Sequence, residues 1–318
     1  MSALNNAFGA SDNTINNLAL ISARAATVAE QRLLELYDLT AAALDRSAEY
    51  AADGLAAYDL ISAIMPDEQD APPALPDGIP APLAAPALSY LSALSAIDRA
   101  TVAFLYARGA LERALPVSEG DLLPCGDGPE TFIYARNTLA DEAYDVLSQE
   151  FADPRVKYAT TLADCVRAVI SGECRFCLLP LEEKGGTRLP TVAELIYRGD
   201  LKINAVTPVF GFDGTADLKY ALLSRDFLIP TAVEGDDRYL EVRVGADDDR
   251  LTELFSVLGY LGLSLYRVNT VTFTSEGESE SYLSLVLRDG GDGFTPLLVY
   301  LSLFSWDFTP VGIYKNLE

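Results

Sequence analysis

The chain has 318 residues, half of them apolar, with 47 acidic against 23 basic side chains, a net charge of −24 and no histidine. That apolar content over this length supports two or three cored domains and argues against disorder. The negative charge repels nucleic acid and anionic lipid, and the absence of imidazole leaves acid–base chemistry to carboxylates, phenols, amines and hydroxyls. The N-terminus lacks a basic start followed by an apolar run, and the longest apolar stretches are too short or proline-interrupted to span a bilayer. A soluble, cytoplasmic protein that binds neither nucleic acid nor membrane is expected.

After a polar start, Thr14 to Asp59 interleaves Arg24, Glu30, Arg32 and Glu35 with Leu33, Leu34, Leu36, Leu39 and Leu44 at helical spacing. Most of it is predicted as one long helix. Asp53-Gly54 gives a stop, and a short helical piece runs on to Met65. Residues 66–86 carry seven prolines in 21 positions, which predicts an extended connection. Ser89 to Leu115 then resumes the helical pattern, so 1–115 is expected to be a small all-α domain.

A linker rich in Gly, Pro and acid follows, and an α/β domain is expected over 122–230. It begins with a strand at Thr131–Ala135 and a helix at Leu139–Phe151. A βαβ-type unit spans Lys157–Glu183: Leu162, Val166, Val169 and Ile170 share one helix face, and Phe176–Leu179 form an apolar strand closed by Pro180. The loop Leu181–Gly186 beyond that strand lies where such sheets bind ligands. A helix at Thr191–Arg198 and strands at Leu201–Val206 and Lys219–Leu223 complete the domain.

After a hinge at Pro230–Arg238 comes a strand (Tyr239–Val244), a helix (Asp249–Leu261), two strands (Ser264–Phe273, Ser281–Leu287), a helix (Phe294–Phe304) and a strand (Phe308–Tyr314). This βαββαβ order predicts a ferredoxin-like unit over 238–318. Cys174 and Cys177 form a CxxC, but no second CxxC and no histidine accompany it. Buried thiols are expected there, with no metal and no cofactor.

Several segments, in this order, resemble the bifunctional chorismate mutase–prephenate dehydratase family of phenylalanine biosynthesis. Ala48–Asp59 is similar to the family's segment at the end of the first mutase helix. Asn137–Ala143 is similar to its turn into the first dehydratase helix, and Ala168–Glu173 with Leu178–Glu182 to its following helix–strand pair. Gly262–Val268 and Val311–Lys315 are similar to segments of its C-terminal ACT regulatory domain. The resemblance covers nearly the whole chain. It implies an α+β multidomain fold: all-α mutase-like helices, the central α/β lobe of a periplasmic-binding-protein-like dehydratase domain, and a ferredoxin-like ACT domain.

The resemblance also implies where chemistry should sit. Mutase chemistry holds a dianion with arginine and lysine, yet the family's cations fall here on Ala51, about Thr40 and about Ala23, and only Asp59 stands where expected. Segment 1–115 has no lysine, six arginines and fourteen acids, which suits a helical dimerisation module. The dehydratase Thr-Arg-Phe motif falls on Leu218-Lys219-Tyr220, with the hydroxyl lost, and the Glu-Asn-Ser loop on Glu182-Glu183-Lys184. Thr138 and Lys219 survive as vestigial contacts, a capping threonine and an edge-strand lysine being the plainer readings. Only 37 residues separate Pro180 from Leu218, too few for the family's second lobe. In the ACT-like unit, Arg250, Leu251, Asn269 and Thr270 occupy the positions of the family's ligand-binding turn and strand end.

A degenerate, catalytically inactive homologue is therefore expected, a homodimer that binds an aromatic amino acid such as phenylalanine, or prephenate, or an active family relative. Two alternatives stand: a working prephenate dehydratase, a lyase more readily than a mutase, using displaced residues; and a protein-interaction module without a small-molecule site. The latter expects the 181–217 connection packed flat over the sheet with no cavity.

Overall fold

The computed structural model describes residues 2–52, 94–183, 186–210, 216–230, 237–245, 250–275, 278–289, 293–304 and 307–317. The expected second helical piece, the proline-rich connection 66–86 and Asp59 lie outside them. Helix α1 (Ser2–Ala51) is 50 residues long, about 75 Å at 1.5 Å per residue. Helix α2 (Ala96–Glu112) opens with a capping box, in which the Ser95 hydroxyl accepts from the Asp98 N–H and Asp98 accepts from the Ser95 N–H. This reciprocal pairing satisfies two backbone donors that a helix start otherwise leaves open. A single turn, α3 (Glu119–Leu122), precedes the strands.

The remaining elements are β1 (Thr131–Ala135), α4 (Thr138–Leu147), β2 (Arg155–Ala159), α5 (Leu162–Ile170), β3 (Phe176–Glu183), α6 (Pro190–Arg198), β4 (Lys202–Phe210), β5 (Ala216–Ser224), β6 (Arg238–Gly245), α7 (Leu251–Tyr260), β7 (Ser264–Ser275), β8 (Glu278–Arg288), α8 (Thr295–Leu303) and β9 (Phe308–Lys315). The nine strands of the described residues form one mixed sheet in the order β2-β1-β3-β5-β4-β9-β6-β8-β7. Strands β1, β2 and β3 pair in parallel, as the βαβ reading requires. The last four strands, in the order β9-β6-β8-β7, carry the βαββαβ succession.

The two halves join at a narrow seam. Ile203 of β4 pairs in parallel with Gly312 of β9, Val206 bridges Asn316, and the Leu317 N–H donates to the Val206 carbonyl at 2.7 Å. Gly312 is what lets the strands close: a Cβ there would stand 2.7 Å from Ile203 Cβ and 2.8 Å from its carbonyl oxygen. No larger residue fits without displacing backbone.

Three large cores hold the sheet. Helix α4 packs Ala140, Ala143 and Leu147 with Phe132, Phe176, Leu178, Tyr220 and Leu222 on one face. Helices α5 and α6 pack Val166, Val169, Val192 and Ile196 with Cys177, Leu179, Ala221 and Leu223 on the other. The largest core sets Leu240, Val242, Val244, Leu285 and Leu287 of β6 and β8 against α7 and α8, and it also takes in Ala103, Tyr106 and Ala107 of α2 and Leu44 of α1. Helix α2 thus buries its apolar stripe against the C-terminal unit, and α1 joins that core through Leu44. Arg99 fastens the contact by donating to Glu253 at 2.5 Å, and the Thr101 hydroxyl donates to Tyr260 at 2.8 Å.

Candidate functional site

The alternation of a strand sends every second side chain to the opposite face. In β6 this sends Leu240, Val242 and Val244 to the helical layer and turns Glu241 and Arg243 to the other face. Ser284 of β8 pairs with both Arg243 and Asn269 across the ladder. On a free ferredoxin-like unit that polar face would meet water. Here α6 and the segment before it cover it.

The segment is delivered by a tight reversal after β3. The Gly186 N–H donates to the Glu183 carbonyl at 2.9 Å, Glu183 N–H to Thr187 at 3.0 Å, and Leu189 N–H to Leu181 at 3.1 Å. Gly186 has φ +82°, a left-handed conformation that favours glycine. The reversal lays Arg188 against the sheet, where its two terminal nitrogens donate to the two Glu241 carboxylate oxygens at 3.0 and 2.8 Å. The Ser284 hydroxyl donates to the same carboxylate at 2.5 Å. Glu182, 4% exposed, pairs with Arg267 of β7 and lies 3.6 Å from Arg188.

Burial and charge act against each other in this cluster. Burial by itself would lower the Arg188 pKa, but the Glu241 carboxylate outweighs it and holds the guanidinium above its ordinary range. Arg243 moves the other way: burial lowers it, and its guanidinium sits 4.5 Å from the centroid of the Tyr197 ring. Tyr314 is pushed well up, first by burial and then by Glu241. Two cavities flank the cluster. One, of about 30 Å³, is lined by Arg188, Tyr197, Glu241, Arg243, Asn269 and Ser284 among others. The second, of about 10 Å³, is lined by Lys219, Tyr239, Tyr266, Arg267 and Tyr314 with Glu182. Both are the size of one or two waters.

The sequence-predicted site residues do not converge. Glu182 belongs to strand β3, which runs past Pro180 to Glu183, so it is a buried, paired strand residue and not part of an open loop. The β3–β5 register slips between Pro180 and Glu182, which allows the strand to accommodate the proline. Thr138 is the first residue of α4, and the cap is Asn137, whose side chain accepts from the Ala140 N–H at 2.9 Å. Asn137 Oδ1 also accepts from the Tyr220 hydroxyl at 3.5 Å.

Lys219 is no edge residue, since β5 lies between β3 and β4. As the neighbour of Tyr220 it projects to the face opposite α4, away from Thr138. Arg250 stands at the start of α7 on the helical side and donates to the Phe304 carbonyl at 3.1 Å, with Leu251 packed against that core. Asn269 lines the larger cavity on the other face, while Thr270 is exposed.

Arg188, Arg243 and Arg267 went unnoticed in the sequence. For Arg243 the available signal was the alternation of Glu241 and Arg243 with Leu240, Val242 and Val244, a pattern that also fits a solvated face.

Three of the four cysteines, Cys165, Cys174 and Cys177, are buried free thiols, and burial raises the pKa of each. Among the described residues no group of three or more Cys, Asp or Glu could hold a metal, and no helix is long and apolar enough to cross a membrane.

No protein-family model and no curated protein matches the sequence. Solved structures with a similar chain path include a prephenate dehydratase from Streptococcus mutans, at 11% identity and a TM-score of 0.47, covering 60% of this chain and 100% of that one. A prephenate dehydratase from Arthrobacter aurescens in complex with L-Phe gives 14% and 0.43, with coverage of 58% and 90%. GqqA, described as a novel type of quorum-quenching acylase, gives 18% and 0.43, with coverage of 59% and 96%. What each of those proteins binds or catalyses belongs to that protein.

Proposed function

We propose that this chain is a non-catalytic homologue of the prephenate dehydratase family, a dimeric regulatory protein that responds to an aromatic amino acid and does not turn over prephenate. The observation that supports this most directly is the separation of Thr138 and Lys219 onto opposite faces of the sheet. Dehydration with decarboxylation needs a group at the departing hydroxyl and a cation at the carboxylate of one substrate at the same moment. Self-association is assigned to α1, where Leu20, Ile21, Val28, Leu34 and Tyr37 are 51 to 65% exposed.

The test is threefold. Purified protein incubated with prephenate is expected to form no phenylpyruvate. Sedimentation equilibrium is expected to give a dimer that Leu34→Glu converts to monomer, and phenylalanine is expected to raise the thermal midpoint. Absence of both dimer and ligand response would sink this reading.

One feature favours a working dehydratase as the second reading. A lysine, an arginine and three phenols (Lys219, Arg267, Tyr239, Tyr266 and Tyr314) meet at the smaller cavity, and such groups hold aromatic carboxylates. At about 10 Å³ it would have to open to admit one. Phenylpyruvate formation that Lys219→Ala abolishes would establish it.

A further inference from the structure

Five side-chain atoms among the described residues are buried without a hydrogen-bond partner: the Nε of Arg99, Arg188, Arg238 and Arg243, and Nδ2 of Asn269. Three of the five side chains, Arg188, Arg243 and Asn269, line the same cavity of about 30 Å³. An amide can turn over to present its oxygen, but a guanidinium Nε–H can only donate. Leaving such donors buried and unmet costs about 1–3 kcal/mol each, and three of the side chains that carry them line this one space.

The local charge gives the sign. Of the charged side chains that line this cavity, Arg188, with a side chain 9% exposed, and Arg243 are positive against Glu241 alone, a surplus of one. Asp200, the carboxylate that acts most on Arg243, has a side chain 74% exposed and is already paired with Lys202 at 2.6 Å. Both Glu241 oxygens are taken by Arg188 and one also by Ser284. A single unmatched cation in a half-buried pocket is unfavourable, and it stands out in a chain of net charge −24.

We propose that this cavity binds one small monovalent anion, a halide or a carboxylate of formate size, held by the guanidinium groups of Arg188 and Arg243 and the Asn269 amide. The volume admits one or two water-sized bodies and excludes a free amino acid. The bound anion would tie the Arg188 segment to β6 and β7, and so the two halves of the sheet to each other. This assignment is independent of whether the protein turns over prephenate.

The experiment compares thermal unfolding of the full chain in sodium chloride, bromide, formate, sulfate and gluconate at one ionic strength. Crystals soaked in bromide are examined for anomalous scattering. Chloride, bromide or formate is expected to raise the midpoint by about 2 °C over gluconate at tenfold excess over Kd. A bromide peak is expected among Arg188, Arg243 and Asn269. A larger effect of formate than of halide identifies the carboxylate as the preferred source of the charge.

Arg243→Gln is expected to abolish the anion dependence. Should that variant not fold, the wild-type bromide peak decides. A midpoint that follows ionic strength alone, a stronger response to sulfate, or a cavity that shows ordered water and no bromide would overturn the proposal.

Discussion

Strands β6 and β8 face two environments at once. On one side Leu240, Val242, Val244, Leu285 and Leu287 enter a largely apolar core shared with α2, α7 and α8. On the other, Glu241, Arg243 and Ser284 meet Arg188 and the cavity beneath α6. The same backbone thus carries a contact that tolerates repacking and one that depends on every partner being present. Apolar burial is additive and non-directional, so one lost methyl group is a local loss. A buried charge network is conditional, because removing one member leaves another desolvated and unmatched.

The largest expected effect lies on the charged side. Glu241→Ala should destabilise the fold by about 3–5 kcal/mol, because it strands Arg188 in the interior. The double variant Arg188→Met, Glu241→Leu should lose less than the Glu241 change alone. Urea unfolding of the two single variants and the double variant measures this coupling, and strictly additive losses would break the contrast between the faces.

On the apolar side, Leu298→Ala, at a position 1% exposed in the centre of α8, should cost about 2–5 kcal/mol. A volume-conserving Leu298→Met should cost below about 1.5 kcal/mol. A Met variant as damaging as the Ala variant would show that this core too demands specific shapes.

The smallest expected effect is alkaline. Cys165, in the layer that covers the charged face, is pushed by burial from 9.0 up to about 11. The folded state therefore resists ionisation that the unfolded chain undergoes near 9. The contribution is whole below pH 9 and falls as pH rises to 11. Unfolding of Cys165→Ala should show a shallower decline over that window than the native protein. An unchanged slope would place the alkaline sensitivity elsewhere.

Much of the fold was legible in the chain. The helical spacing of Leu162, Val166 and Val169, the β-branched and apolar runs of the strands and the turns between them fix elements that the structure reproduces closely, from Thr131–Ala135 to the βαββαβ succession. These signals are local, being carried by periods of 3.6 and 2 residues.

The site was much less legible. Lys219 reads as an edge residue until β4 closes on its far side, and Glu182 reads as a loop acid until β3 is seen to continue through Pro180. Arg188 and Glu241 are 53 positions apart, and no periodicity relates them.

By itself, then, the sequence determined which segments are helix or strand and which side chains share a face. Only the tertiary structure decided that Gly312 lets β9 pair with β4, that the two halves make one sheet, and that the polar face of the second half is covered instead of solvated. The physical reason is that a strand's alternation sets which side chains point together, while burial and net charge depend on what lies across from them. That partner comes from chain segments too distant for a local pattern to encode.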